Sequence, residues 1–292
     1  MATVFTRVWI GSVLIVAIVG LLTIDKLSGH GYGAIALVMA LGSAGLVEFA
    51  RMVHPRPVAS AGLVLAGAGY LALLGLGYEL EPRLHLLLAP WAVLTLYALF
   101  FWQLRGAPSA VRFEGLGLTV LGFVYMAFLS GFTLELRFLG PEVGPSAFFF
   151  AIAMAKGTDI CAFFAGKAFG KKKLVPSVSP GKSTAGFYGA VAGGALIAVL
   201  FSVFSPLGKL IPLSLAPGFG VVLSLVVISG DLIESFFKRS AEVKDSASLL
   251  PGFGGVLDIV DSVVIVAPAI YFGLYALSAF VPPGTPVSFP GG

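Results

Sequence analysis

The sequence predicts an all-α, polytopic integral membrane protein with about nine transmembrane helices. Of its 292 residues, 58% are hydrophobic and 11% charged, where a soluble domain carries roughly 25% charge. Apolar runs recur along the chain at close to the ~20 residues that a helix needs to cross the hydrocarbon core. Lysine and arginine fall mostly in alternate connections, as they do in membrane proteins with a fixed orientation. The mean hydropathy is +1.01. The strict alternation of a membrane β-barrel is absent.

The expected spans are about 8–24, 31–50, 58–77, 84–102, 115–132, 146–165, 185–204, 213–235 and 257–280. The first follows Arg7 and could be taken for a signal peptide. No small-residue cleavage site leading into a soluble domain follows it, so a first membrane span is the better reading. Turn-forming stretches separate the runs: HPRP (54–57), YELEPR (78–83) and LGPEVGP (139–145). The tail VPPGTPVSFPGG is Pro/Gly-rich and uncharged. Organisation is expected in two parts: residues 1–135 with spans 1–5, and residues 146–292 with spans 6–9 and the loops 166–184 and 236–256. No internal repeat is visible.

Orientation follows from the basic residues. Thirteen lie before span 1 or after spans 2, 4, 6 and 8, and four (Lys26, Arg83, Arg137, Lys209) lie on the other side, with Lys156 inside span 6. That bias puts the N-terminus in the cytoplasm and, with nine spans, the C-terminus outside. The expected location is the cell inner (cytoplasmic) membrane, multi-pass, with the active site and the charged loops facing the cytoplasm. The formal net charge of +4 is modest, the single Cys161 excludes an intramolecular disulfide, and no Cys/His cluster suggests zinc. Cys161 reads as a small buried hydrophobe. His30, His54 and His85 lie away from the charged windows and are not expected to be ligands.

Charge is concentrated. The windows 156–182 and 231–261 hold 7 and 9 of the 32 charged residues. A carboxylate at membrane depth costs about 2.5–3.5 kcal/mol on insertion scales, and is functional by default. Under the expected topology, Asp159 near the end of span 6, Asp231 near the end of span 8, and Asp258 and Asp261 at the start of span 9 fall at one level beneath the cytoplasmic surface. Asp231, Glu234, Ser235 and Lys238 stand at i, i+3, i+4 and i+7, on one helix face. Asp258, Asp261 and Ser262 repeat the first three of these spacings, and Lys156 and Asp159 are three apart. Hard oxygen ligands beneath basic loops suit Mg²⁺ together with a polyanion. The plainer reading is that these charges pair with one another or snorkel. For Lys171–Lys173 it is as good as the functional one, since such a run also signals topology or contacts lipid headgroups.

The stretch SPGKST (Ser179–Thr184) contains GKS, but a P-loop needs glycine where Pro176 stands, and no hydrophobic strand leads into it. Phosphate binding through Lys182, Ser183, Thr184 and the backbone N–H groups at the start of span 7 remains an expectation.

These blocks resemble the phosphatidate cytidylyltransferase (CDP-diacylglycerol synthase) family. From Ser235 to Asp261 the chain reads SFFKRSAEVKDSASLLPGFGGVLDIVD. It is similar to that family's C-terminal signature at Ser235, Lys238, Arg239, Lys244, Asp245, Pro251, Gly254, Gly255, Asp258 and Asp261. Gly230, Asp231 and Glu234 look like the family's lead-in. A second block resembles the chain from Asp159 to Gly186, including Gly166, Phe169–Lys171, Lys173, Leu174, Ser179, Pro180 and Lys182. The resemblance covers about 100 residues. It departs where the family's His, Arg and Glu are replaced by Phe253, Ile259 and Ala185.

The resemblance implies conversion of CTP and phosphatidate to CDP-diacylglycerol and pyrophosphate in phospholipid biosynthesis. It implies Mg²⁺, with room for a second metal ion, held by Asp231 and Asp258 with Asp261 assisting. Lys238, Arg239, Lys244 and Lys182 would then bind phosphates, Asp245 would join the catalytic set, and Asp159, Ser179 and Ser235 would line the substrate site. Gly252, Gly254 and Gly255 would let the backbone approach the nucleotide. The partners implied are CTP, phosphatidate in the bilayer and membrane lipids, with no nucleic acid; a homodimer is compatible. Two alternatives stand beside it: a CTP-dependent lipid-alcohol kinase of the polyprenol or phytol type, and an ion-coupled transporter using Asp159 and Asp231 as relay groups.

Overall fold

The computed structural model describes residues 16, 18–25, 27–53, 60–176, 178–243, 246–247, 254–280 and 289. Among these residues, eight helices are long and apolar enough to cross a membrane. They are α1 (Tyr32–Met52), α2 (Ser60–Glu79), α3 (Leu88–Gln103, entered through a 3₁₀ turn at Pro82–Leu87), α4 (Ala110–Arg137), α5 (Val143–Phe169), α6 (Thr184–Phe204), α7 (Ala216–Ser240) and α8 (Leu257–Ser278). Each overlaps one of the last eight expected spans. Most of the first expected span, 8–24, lies outside the described residues. Many large apolar side chains point outward, among them Phe113, Phe163 and Phe204, as on a surface whose solvent is lipid.

The chain falls into two units. The first comprises Met1–Leu134 and Ala241–Val260, the second Glu135–Ser240 and Asp261–Gly292. The boundary falls inside α8, whose first residues belong to one unit and the remainder to the other.

In the first unit, α1, α2 and α4 pack through small residues, which let helices approach without a hydrophobic driving force from water. A Cβ on Gly122 would stand 2.8 Å from the Phe49 ring, and one on Gly42 would stand 2.8 Å from Leu71 Cδ1. Helix α4 includes a π segment at Phe123–Phe128, which buries Tyr125, Met126 and Ala127. Acidic side chains serve as helix caps. Asp25 accepts from the N–H groups of Gly33 (2.6 Å) and Ala34 (2.9 Å) at the start of α1. Glu79 accepts from Gly31 N–H and bonds His30 Nδ1. His85 Nε2 reaches the Leu74 carbonyl at 3.1 Å, so two of the three histidines have structural partners; His54 lies outside the described residues.

In the second unit, α5, α6 and α7 form the core. Gly186, Gly189 and Gly193 share one face of α6 and lie against α5, where added Cβ atoms would meet Ala162 O (2.9 Å), Cys161 O (2.8 Å) and Cys161 Sγ (2.5 Å) respectively. Cys161 is half-buried there rather than fully buried. Gly220 of α7 sits against α6, where a Cβ would stand 2.8 Å from both Ala195 Cα and Ala198 Cβ.

Between α5 and α6 the chain forms a short antiparallel hairpin, β1 (Lys173–Val175) and β2 (Ser179–Ser183), with Lys173 opposite Ser183. The hairpin was not expected from sequence. It occupies the loop that carries SPGKST and leads straight into α6.

Candidate active site

The hairpin and three helix ends build the site in the second unit. Ser183 ends β2 and caps α6, its hydroxyl accepting from Gly186 N–H at 3.1 Å. Gly166 and Gly170 at the end of α5 leave space for that hydroxyl, which would lie 3.0 Å and 2.7 Å from Cβ atoms built on them. The hairpin is thereby seated on the end of α5, and the preceding residue, Lys182, reaches α7. Its Nζ lies 2.6 Å from Asp231 Oδ2 and donates to the Ile228 carbonyl at 3.5 Å.

A cavity of about 430 Å³ opens here, lined by Asp159, Lys167, Lys173, Lys182 and Asp231 among others. Three lysines and two carboxylates in its lining give it the character of a polyanion site with acidic ligands.

Deeper in the same unit, oxygens of Asp231, Glu234 and Asp261 lie within 4.8 Å of one another. Glu234 and Asp261 are buried. Lysines flank the group. Lys238 Nζ lies 2.7 Å from Glu234 Oε2, and Lys156 Nζ lies 3.9 Å from Asp261 Oδ1 and 4.0 Å from Asp159 Oδ2. Asp261 Oδ1 also accepts from Ser262 N–H at 2.6 Å. Three carboxylates at this spacing offer the hard oxygen donors that a divalent cation such as Mg²⁺ takes.

Of the residues expected from sequence, the second unit brings together Asp159, Lys182, Asp231, Lys238 and Asp261. Glu234 was placed on the Asp231 face by its i, i+3 spacing but was not counted among the metal carboxylates; its position in the acidic group adds it. Lys156, noted only for its spacing from Asp159, bridges Asp159 and Asp261. Ser179 lies in β2, and Ser235 and Arg239 lie in the last turns of α7.

Asp258 is found in the first unit. Its Oδ2 accepts from Ser246 Oγ (2.8 Å), Gly255 N–H (2.7 Å) and Ser246 N–H (3.3 Å). Gly254 has φ +87°, in the left-handed region that favours glycine. At Gly255 a side chain would collide with Ser246 Oγ and the Glu48 carboxylate. Both glycines thus have a packing reason inside the protein. Lys244, Asp245, Gly252 and Phe253 lie outside the described residues.

A model of the cytidylyltransferase family matches residues 5–277. The chain belongs to that family. Its relatives include the phosphatidate cytidylyltransferase of Bacillus subtilis, 34% identical over 247 residues, which are 83% of this chain and 88% of that protein. The enzyme of the same name from Brucella suis is 40% identical over 181 residues, 60% of this chain and 64% of the relative. The one from Pseudomonas aeruginosa is 45% identical over 120 residues, 41% and 44% of the two chains. This cytidylyltransferase-family membership extends over the N-terminal half, where the sequence motifs themselves were weak.

Proposed function

We propose that the protein is a phosphatidate cytidylyltransferase, which joins CTP and phosphatidate to give CDP-diacylglycerol and pyrophosphate in phospholipid biosynthesis. The observation that carries this reading is the Lys182–Asp231 pair at the edge of a lysine-lined cavity, in a member of the cytidylyltransferase family. A phosphate oxygen of the lipid forms a bond to the α-phosphorus of CTP. The bond from that phosphorus to the β-bridging oxygen breaks, and pyrophosphate leaves. Such a reaction needs positioning and charge neutralisation more than covalent help from the protein.

Lys182, Lys167 and Lys173 offset the phosphate charge in the cavity. Lys238 and Arg239 extend that role along α7, and Lys244 and Asp245 join them as the motif resemblance implies. Asp159, Ser179 and Ser235 contribute polar contacts to the substrates. Asp231, Glu234 and Asp261 would hold Mg²⁺, and the motif resemblance adds Asp258 as a metal ligand. When bound, the ion would polarise phosphoryl oxygens and offset charge on the leaving pyrophosphate. The site faces the cytoplasm in this reading, because the basic loops lie on that side, and lipid arrives laterally from the cytoplasmic membrane. The lipid-alcohol kinase and the transporter are not favoured, since the relatives' names are those of cytidylyl transfer.

Purified protein in lipid nanodiscs tests the reading. CTP consumption is expected to require both phosphatidate and Mg²⁺. Consumption at the same rate without phosphatidate would refute the assignment.

A further inference from the structure

Glu48 lies outside every block of sequence that suggested a site. It sits near the end of α1, and it is only 4% exposed. Its two oxygens take three donors. Oε1 accepts from Val256 N–H at 2.9 Å, and Oε2 accepts from Leu257 N–H at 2.8 Å and from Ser246 Oγ at 3.2 Å. The two N–H groups belong to the start of α8, where no helical carbonyl is in reach, and a negative charge there meets the positive end of the helix. The third donor is the hydroxyl that also lies 2.8 Å from Asp258 Oδ2. A serine has one hydroxyl proton to give, so the two carboxylates share it. Gly255 lets these groups close up, for a Cβ there would meet both Ser246 Oγ and Glu48 Oε2. A neutral serine or asparagine suffices to cap a helix. Asp25 shows that a buried carboxylate can serve as a cap; what sets Glu48 apart is the Ser246 hydroxyl that it shares with Asp258.

We propose that Glu48 is a positioning residue for Asp258: it fixes the first turn of α8 and, through Ser246, the direction in which Asp258 presents its carboxylate. The inference rests on the reading of Asp258 as part of the metal centre. Partners that orient metal-binding groups typically change metal affinity by 10–100-fold when replaced.

The test uses the full chain in nanodiscs with two readouts: Mn²⁺ binding, followed by its EPR signal without substrate, and CTP turnover against Mg²⁺ concentration. Glu48→Gln is expected to weaken Mn²⁺ binding about tenfold and to raise the Mg²⁺ requirement in parallel. Ser246→Ala, which leaves both helix N–H groups on Glu48, is expected to move both readouts in the same direction, and it carries the test if Glu48→Gln does not fold. Asp25→Asn is the control for simple cap loss. Asp25 caps α1 with similar burial, so the thermal midpoint should fall while Mn²⁺ binding stays at the parent value. Parent-like Mn²⁺ binding in Glu48→Gln and Ser246→Ala, beside impaired binding in Asp258→Asn, would overturn the positioning role alone. Parent-like binding and turnover in Asp258→Asn would instead remove Asp258 from the centre, and the role of Glu48 with it.

Discussion

Lys182 Nζ lies 2.6 Å from Asp231 Oδ2. The lysine comes from the strand that precedes α6 and the aspartate from the second half of α7. The pair therefore ties the loop that suggested phosphate binding to the carboxylate that suggested a metal. Each group has its charge offset by the other at a depth where an isolated charge is costly. In the proposed reaction Lys182 would serve phosphate and Asp231 would hold a divalent cation.

Lys182→Gln should therefore lower kcat/KM for CTP by about 100-fold, the usual effect of removing one preorganised donor from a charged transition state. Steady-state kinetics in nanodiscs measure it. A value within about twofold of the parent would leave Lys182 as no more than a structural partner of Asp231, since a twofold change is about 0.4 kcal/mol.

The acidic group makes a graded prediction. Asp231→Asn and Asp258→Asn should nearly abolish Mg²⁺-dependent turnover with the fold retained. Glu234→Gln should do so too, and should also lower the thermal midpoint, because it takes away a buried carboxylate that pairs with Lys238. Breaking a buried pair typically costs about 3–5 kcal/mol. Turnover unchanged in Glu234→Gln would take Glu234 out of the metal group.

Gly254→Ala forces a side chain into the left-handed region, at a cost of about 1–2 kcal/mol, and its Cβ would collide with the Asp258 carboxylate. Gly255→Ala adds a collision with Ser246 and Glu48. Both variants should melt at lower temperature and lose Mn²⁺ binding, since Gly254→Ala displaces the Asp258 carboxylate and Gly255→Ala parts the groups that hold it. Equal melting of all three proteins would contradict this account of the glycine pair.

At the other end of the second unit, Lys209 holds Glu142 2.5 Å away, and its hydrogen bond and charge lower the carboxyl's pKa. A lowered pKa means the pair is intact at neutral pH and is lost as the pH falls through the folded value, below the usual 4.5. The pair is exposed, so its effect on stability is small. Lys209→Gln should leave turnover at neutral pH unchanged; a loss there would show that this end of the helices bears on the chemistry.

The long helices were legible because length and apolarity alone mark them, and their order passes one check in the structure. Eight alternating spans put the end of α1 and the start of α8 on the same membrane face, and Glu48 joins those two ends. The acidic spacing on α7 was legible because i, i+3 is a property of any helix. The hairpin was not, because KLV and SPGKS are short, rich in Lys, Pro and Gly, and show no alternation. The roles of Glu48 and Asp25 were also missed, although a signal was present: each is a lone carboxylate in or beside an apolar run, which the depth argument already flags. What sequence spacing could not supply was their partners: those of Glu48 lie about 200 residues along the chain, and those of Asp25 are backbone N–H groups of the next helix start.

The most direct test follows the fate of label from CTP. With phosphatidate and Mg²⁺, CTP labelled at the α-phosphorus should deliver its label to the lipid fraction as CDP-diacylglycerol, and CTP labelled at the γ-phosphorus should leave its label in water-soluble pyrophosphate. Label from the γ-phosphorus appearing in the lipid, with CDP released, would contradict cytidylyl transfer and make the protein a lipid kinase.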